Sequence, residues 1–120
     1  MSVTFRPCVL IPCYNHGAMM ASVLARLAPF DLPCLVVDDG SDETTRRTLE
    51  ALAADRPQVT LLRLAENSGK GAAVMQGLKA CADRGFTHAV QVDADGQHAI
   101  EDIPKLLALA GRHPDALISG

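Results

Sequence analysis

Short apolar runs alternate with segments of helical periodicity along the whole chain. Five runs have the length and composition of buried strands, and they cover residues 8–11, 34–37, 59–64, 88–92 and 115–118. The first two are apolar at every position. We therefore expect these two strands to be buried on both faces of a sheet.

The segments between the apolar runs predict helices. They cover residues 18–28, 42–54, 70–83 and 102–111. Met19, Val23 and Leu27 recur at four-residue intervals, so we expect them on the buried side of the first helix. Ser41 is expected to cap the second helix, with Asp42 in its first turn.

The alternation of strands and helices predicts the fold class. It indicates one α/β domain over residues 1–120, with a mostly parallel sheet and helices on both faces. Polar clusters follow three of the strands, at residues 12–15, 38–41 and 93–95. In open α/β sheets, ligands bind outside the carboxyl ends of the strands. We therefore expect the three clusters to share one edge and to form a ligand site.

Two carboxylates stand where the fourth strand is expected to end. Asp93 and Asp95 are two residues apart, and such residues face the same way on a strand. The two charges would repel, so a counter-charge is needed. A hard divalent cation with oxygen ligands fits, and it would keep positions open for a nucleoside diphosphate. The alternative is a solvated turn.

Three further residues carry candidate chemistry, each with a structural alternative. Tyr14 offers a ring to a base, or packs on its own turn. Asp39 offers a carboxylate to a ligand's N–H or hydroxyl groups, or caps the following helix. Lys70 stands in a Gly-Lys-Gly opening that offers a cation and backbone N–H groups to an anion. Alternatively, residues 71–73 only allow close packing on the sheet.

Composition limits the partners and the compartment. The net charge is −3 and the basic residues are scattered, which argues against nucleic-acid binding. No apolar run approaches the ~20 residues of a membrane-spanning helix, and no secretory signal is recognisable. Cys8, Cys13, Cys34 and Cys81 follow no zinc-ligand spacing, so we expect buried thiols and a cytoplasmic protein.

Four motifs in order resemble the signatures of family 2 glycosyltransferases of the GT-A fold. They are IPCYN at 11–15, VVDDGSD at 36–42, NSGKGA at 67–72 and DADGQ at 93–97. The most similar branch includes dolichyl-phosphate mannosyltransferase and its bacterial polyprenyl-phosphate relatives. The resemblance implies a Rossmann-like nucleotide-binding half of a GT-A fold. It also implies a metal-dependent inverting transfer from a UDP- or GDP-sugar to an acceptor such as a polyprenyl phosphate.

The resemblance assigns a nucleotide-sugar site residue by residue. The matched positions are Pro12, Tyr14, Asn15, Val37, Asp39, Lys70, Asp93, Ala94, Asp95 and Gln97. Among them, Pro12 and Tyr14 would flank the base and Asp39 would contact it. Asp93 and Asp95 would hold Mg²⁺ or Mn²⁺ against the diphosphate. The lipid-phosphate acceptor implies a location at the cytoplasmic face of a membrane.

The chain departs from the family in two ways. His16 stands where the family often has Glu. Family members are usually longer, and their second half supplies the acceptor groove and, where one is used, the catalytic base. We therefore expect residues 1–120 to be the donor-binding part, with the base outside this chain and no activity from this part alone.

Two other functions compete with the transferase. A non-catalytic nucleotide-binding module would keep the donor site without chemistry. A haloacid-dehalogenase-type phosphatase would use Asp93 as nucleophile and Asp95 as acid. That motif normally opens its fold, whereas here it stands near the end of the chain.

Overall fold

The computed structural model describes residues 5–15, 17–94, 100–112 and 118–119. The strands are β1 (Pro7–Cys13), β2 (Cys34–Asp39), β3 (Val59–Leu64), β4 (His88–Gln91) and β5 (Ile118–Ser119). The helices are α1 (Gly17–Leu27), α2 (Glu43–Ala54), α3 (Lys70–Asp83) and α4 (Ile103–Arg112). Short 3₁₀ segments cover Ala28–Phe30 and Ile100–Asp102.

The described strands form one parallel sheet. Their order is β3-β2-β1-β4-β5, and every pairing between neighbours is parallel. The direction of winding therefore reverses at β1, which lies between β2 and β4. At such a reversal the connections after the two central strands lead toward opposite edges of the sheet, and ligands bind in the crevice between these strands. This arrangement confirms the predicted α/β fold and locates its ligand crevice after β1 and β4.

Helices cover both faces of the sheet. On one face, Val9 and Ile11 of β1 belong to an apolar cluster with residues of α1, α2 and α4. On the other face, Cys8 and Leu10 pack with residues of α3. All of these β1 side chains are buried, as expected for a central strand. Alternate residues of one strand thus serve two separate apolar cores.

Four strands end at residues other than those predicted; among them, β2 extends to Asp39, two residues beyond its predicted end, and β5 ends at Ser119 rather than Ile118. β1 continues through Pro12, which is in register with Val37 of β2. β4 pairs with β1 only as far as Leu10, so β1 has one neighbour at Pro12, where a strand tolerates proline. β4 ends at Gln91, although Val92 still donates its N–H to the Leu10 oxygen at 2.9 Å. Residues 115–117 of the predicted fifth strand lie outside the described residues.

The predicted cap of the second helix was wrong. Asp42 caps α2, because its carboxylate accepts the Thr45 N–H at 2.8 Å. The hydrogen bonds to Thr45 hold the pKa of Asp42 below its ordinary value. Ser41 is instead buried, and its Oγ accepts the Asn15 N–H at 2.9 Å. The chain turns at Gly40, and α2 begins at Glu43, one residue later than predicted.

The buried side of α1 also differs from the prediction. Met19 is exposed, whereas Met20, Val23, Leu24 and Leu27 are buried. The buried side of a helix contains residues spaced by both three and four positions. A spacing of four alone therefore assigned Met19 to the buried side in place of Met20. Among the described residues, no helix has the length and apolar character needed to cross a membrane.

The four cysteines are buried free thiols, as predicted. The sulfurs of Cys8 and Cys81 lie 3.0 Å apart between β1 and α3. The hydrogen bond to Cys81, together with burial, raises the pKa of Cys8. Burial raises the pKa of Cys34 to about 11. Cys8 and Cys34 are therefore protonated at neutral pH and unsuited to nucleophilic catalysis.

Candidate active site

One cleft lies at the carboxyl edge of the sheet, where β1, β2 and β4 end. Its volume is about 280 Å³, near the lower limit of ligand pockets. The lining residues are Pro12, Cys13, Tyr14, Asp39, Asn67, Lys70, Ala73, Asp93 and Ala94. The three polar clusters that follow the strands in the sequence thus meet at one edge, together with the start of α3.

Most of the predicted site residues belong to this cleft. Six of them line it, namely Pro12, Tyr14, Asp39, Lys70, Asp93 and Ala94. Val37 is fully buried in β2 beside them. Asp95 and Gln97 lie outside the described residues, as do His16 and His98.

Sequence reasoning missed three lining residues, Cys13, Asn67 and Ala73. The sequence could have identified Asn67, because it is the first residue of the motif that contains Lys70. Cys13 and Ala73 are small apolar residues with no chemical signal of their own, and only the close approach of β1 and α3 makes them part of the wall.

The loops after β1 and β2 are held together by reciprocal hydrogen bonds. Asn15 donates its backbone N–H to Ser41 Oγ at 2.9 Å, and its Oδ1 accepts the Asp42 N–H at 2.9 Å. Asn15 has a φ of 56°, a left-handed conformation that Asn tolerates better than most residues. These bonds fix the loop that carries Tyr14. Tyr14 is 46% exposed, so its side of the cleft is open to solvent.

Asp39 organises the loop before α3. Its Oδ1 accepts the Ser68 N–H at 2.8 Å, and its Oδ2 accepts the Gly69 N–H at 3.0 Å. The Asn67 side-chain amide donates to the same Oδ2 at 3.1 Å. The carboxylate is almost fully buried. The alternative that Asp39 caps α2 is wrong, because Asp39 binds the segment that leads into α3.

Asp38 forms a buried ion pair with Arg63 of β3. The Arg63 Nη1 lies 2.6 Å from Asp38 Oδ2, while Asp38 Oδ1 accepts the Ser41 N–H at 2.9 Å. Asp38 is fully buried, and 34% of the Arg63 side chain is exposed. The sequence carried a signal for this pair, because Arg63 is the only charged residue in the apolar run 59–64.

Replacing Arg63 with methionine is expected to lower the free energy of unfolding by about 2 kcal/mol. This loss is smaller than that from breaking a fully buried ion pair, because solvent screens the partly exposed Arg63. The loss follows from leaving the Asp38 carboxylate buried without its cation. Urea denaturation measures it. Arg47→Met is the matched control, because Arg47 pairs with Glu43 on an exposed helix surface, where such a pair contributes at most about 0.5 kcal/mol. Equal losses in the two variants would contradict a structural role for the buried pair.

Lys70 and Asp93 meet across the cleft. The Lys70 Nζ lies 2.7 Å from Asp93 Oδ1. Lys70 is the first residue of α3, and Asp93 follows the end of β4. The interpretation that residues 71–73 serve only close packing is wrong for Gly71 and Ala72, which are exposed, although Ala73 is fully buried.

The donor set fits a hard divalent cation in part. Asp93 offers carboxylate oxygens at the wall of the cleft. Within the described ranges, no three His, Cys, Asp or Glu side chains come together to enclose a metal. A Mg²⁺ or Mn²⁺ ion held by Asp93 would therefore take its other ligands from water, phosphate oxygens or residues such as Asp95. Mg²⁺ is commonly held by one or two carboxylates in this way.

The fold identifies the structural class. The chain superimposes on a mannosyltransferase from Pyrobaculum calidifontis, solved in complex with GDP-Man and Mn²⁺, with a TM-score of 0.63 and 23% identity. The match covers 84% of this chain and 31% of that chain. The parallel sheet and its helices are therefore those of a GT-A glycosyltransferase fold.

The sequence identifies the family. The profile of glycosyl transferase family 2 matches residues 8–120, and the chain belongs to this family. It is 36% identical over 107 residues to polyprenol monophosphomannose synthase of Mycolicibacterium smegmatis, covering 87% of this chain and 40% of that protein. It is 36% identical over 104 residues to undecaprenyl-phosphate mannosyltransferase of Micrococcus luteus, covering 85% and 43%. The chain thus spans less than half the length of these relatives.

Proposed function

We propose that this chain is the donor-binding part of a metal-dependent inverting glycosyltransferase that uses a nucleoside-diphosphate sugar. The observation that carries the proposal is the meeting of Asp39, Lys70 and Asp93 in one cleft at the reversal point of the sheet. Family membership supports the reaction class. It also leaves the phosphatase alternative without support.

The residues of the cleft suit the parts of such a donor. The exposed ring of Tyr14 offers a surface for the base, with Pro12 beside it on the wall. The Lys70 ammonium offers positive charge to the diphosphate. Asp93 and Asp95 would hold the Mg²⁺ or Mn²⁺, which as a Lewis acid stabilises the diphosphate leaving group when bound.

The acceptor is proposed to be a polyprenyl phosphate. Relatives named for transfer to polyprenol or undecaprenyl phosphate support this, as does a relative from Methanococcus voltae named for transfer to dolichyl phosphate, 32% identical over 112 residues. A lipid-linked acceptor would place the reaction at the cytoplasmic face of a membrane. We expect the acceptor groove and the catalytic base in the portion of these relatives that has no counterpart in this chain.

Donor binding by the chain is expected to require both the metal and Asp93. Calorimetric titration with GDP- and UDP-sugars should show binding heat in the presence of Mn²⁺ that disappears without the ion and in Asp93→Asn. Asp83→Asn is the matched control, because it removes the same charge at the exposed carboxyl end of α3.

Other outcomes of that titration separate the hypotheses. Metal-independent binding that survives Asp93→Asn would favour the nucleotide-binding module. Equal loss of binding in Asp93→Asn and Asp83→Asn would contradict the assigned site, since only the first carboxylate lines the cleft.

A further inference from the structure

We infer that Lys70 neutralises Asp93 in the metal-free chain, and that a divalent cation binds by displacing the Lys70 ammonium, which stays in the cleft for the diphosphate. The inference deepens the proposed function and rests on it. It assigns to Lys70 a second role, in metal loading, beyond a position near the nucleotide.

The first step is that both cations use the same carboxylate. The Lys70 Nζ lies 2.7 Å from Asp93 Oδ1, so the two opposite charges form a close ion pair. A metal ion at this carboxylate would lie about 2 Å from an oxygen. An ammonium and a divalent ion held by the same carboxylate oxygen would repel each other strongly. A metal ion that coordinates Asp93 Oδ1 therefore requires the ammonium to withdraw.

The second step is that Lys70 is the partner able to move. Its side chain is 59% exposed, whereas that of Asp93 is 23% exposed. Asp93 lies two residues after the end of β4, and the N–H of the intervening Val92 is still bonded to β1. The Lys70 ammonium is carried by a flexible four-carbon stem with many rotamers. The Asp93 backbone is thus held next to the sheet, whereas the Lys70 ammonium can change position.

The third step is that the displaced ammonium stays near the cleft. The residue before Lys70 is anchored, because Gly69 donates its N–H to Asp39 Oδ2 at 3.0 Å. The Lys70 backbone therefore stays beside the cleft while its side chain changes position. The released charge is then available to an anionic group bound between Asp93 and Tyr14, both of which line the cleft. Metal binding and diphosphate binding would favour each other through this exchange.

Titration with Mn²⁺ alone, followed by electron paramagnetic resonance of the free ion, tests the exchange. Lys70→Gln is expected to bind Mn²⁺ about fivefold more tightly than the unmodified chain, the effect of removing a competing ion pair of about 1 kcal/mol. Lys70→Arg, which keeps the charge, should retain the affinity of the unmodified chain. Lys79→Gln is the matched control, because Lys79 is an exposed residue of the same helix.

A second titration, with GDP at saturating Mn²⁺, should move in the opposite direction. Lys70→Gln is expected to bind GDP about tenfold more weakly, because the variant lacks one charge-assisted contact to the diphosphate. A purely structural role of Lys70 would not raise one affinity and lower the other.

The outcomes separate this inference from the proposed function. Equal Mn²⁺ affinity in Lys70→Gln and the unmodified chain would overturn the inference alone, as would equal tightening in Lys79→Gln. Absence of Mn²⁺ binding in all four proteins would overturn the inference together with the metal dependence in the proposed function. Tighter Mn²⁺ binding together with weaker GDP binding, both confined to Lys70→Gln, supports the exchange.

Discussion

Gly40→Ala is expected to lower the free energy of unfolding by about 3 kcal/mol, a large share of the roughly 5 to 15 kcal/mol that stabilises a domain. Gly40 has a φ of +68°, which costs about 1 to 2 kcal/mol for a residue with a Cβ. The added Cβ would also lie 2.3 Å from the Asn67 nitrogen and 2.4 Å from the Glu66 carbonyl carbon. Both are backbone atoms, so no side-chain rotation can relieve the collision.

Two other glycines separate the contributions of strain and collision. Gly69 has a φ of +96°, but a Cβ there would meet no atom within 4 Å, so Gly69→Ala measures backbone strain alone. Gly71 has neither a positive φ nor a close neighbour and lies in α3, so Gly71→Ala should be neutral or stabilising by up to about 1 kcal/mol. Urea denaturation of the three variants should rank them in this order of stability loss.

The result bears on the site as well as on stability. Gly40 follows Asp39, and the loop that its Cβ would strike leads into Lys70. If Gly40→Ala and Gly69→Ala lost equal stability, the close approach of the two loops would not constrain the fold. If Gly40→Ala folded stably yet lost Mn²⁺-dependent donor binding, the approach would matter for the site alone.

The sequence predicted the parts of the fold and the site that depend on local pattern. The apolar runs located the strands, and their alternation with helices predicted the parallel sheet. Because carboxyl ends of parallel strands share an edge, residues as distant as Tyr14 and Asp93 could be assigned to one cleft from the sequence alone.

The parts that pattern could not supply are side-chain partnerships across the sheet. The sequence indicated that Asp39 and Lys70 are functional candidates. It did not indicate that the Asp39 carboxylate anchors Gly69, the residue before Lys70. The same holds for Asp38, whose charge is balanced by Arg63 from the neighbouring strand. Such pairs depend on register between strands, which hydrophobic periodicity alone does not fix.

Asp39→Asn is expected to loosen the loop before α3 and to lower the free energy of unfolding by about 2 to 4 kcal/mol. The carboxylate accepts three N–H groups, from Ser68, Gly69 and the Asn67 amide. An asparagine has one acceptor oxygen, so its NH₂ group would face at least one of these donors. Each buried donor left without an acceptor costs about 1 to 3 kcal/mol.

Amide hydrogen exchange locates the effect, because local opening and global unfolding have different signatures. In Asp39→Asn, the Ser68 and Gly69 amides should lose more protection than the amides of β2, which would report global stability alone. Asn67→Ala is the graded control, since it removes one donor and leaves both backbone bonds, and it should cost about 1 kcal/mol.

Donor binding then separates anchoring from direct contact with the base. If Asp39 acts by holding the loop, Asp39→Asn and Asn67→Ala should weaken Mn²⁺-dependent binding of GDP- and UDP-sugars in proportion to the protection lost at Gly69. If Asp39 acts mainly by contacting the base, Asp39→Asn should weaken binding far beyond that proportion. Unchanged protection at Ser68 and Gly69 in Asp39→Asn would contradict the anchoring role, because both amides donate only to that carboxylate among the hydrogen bonds described for them.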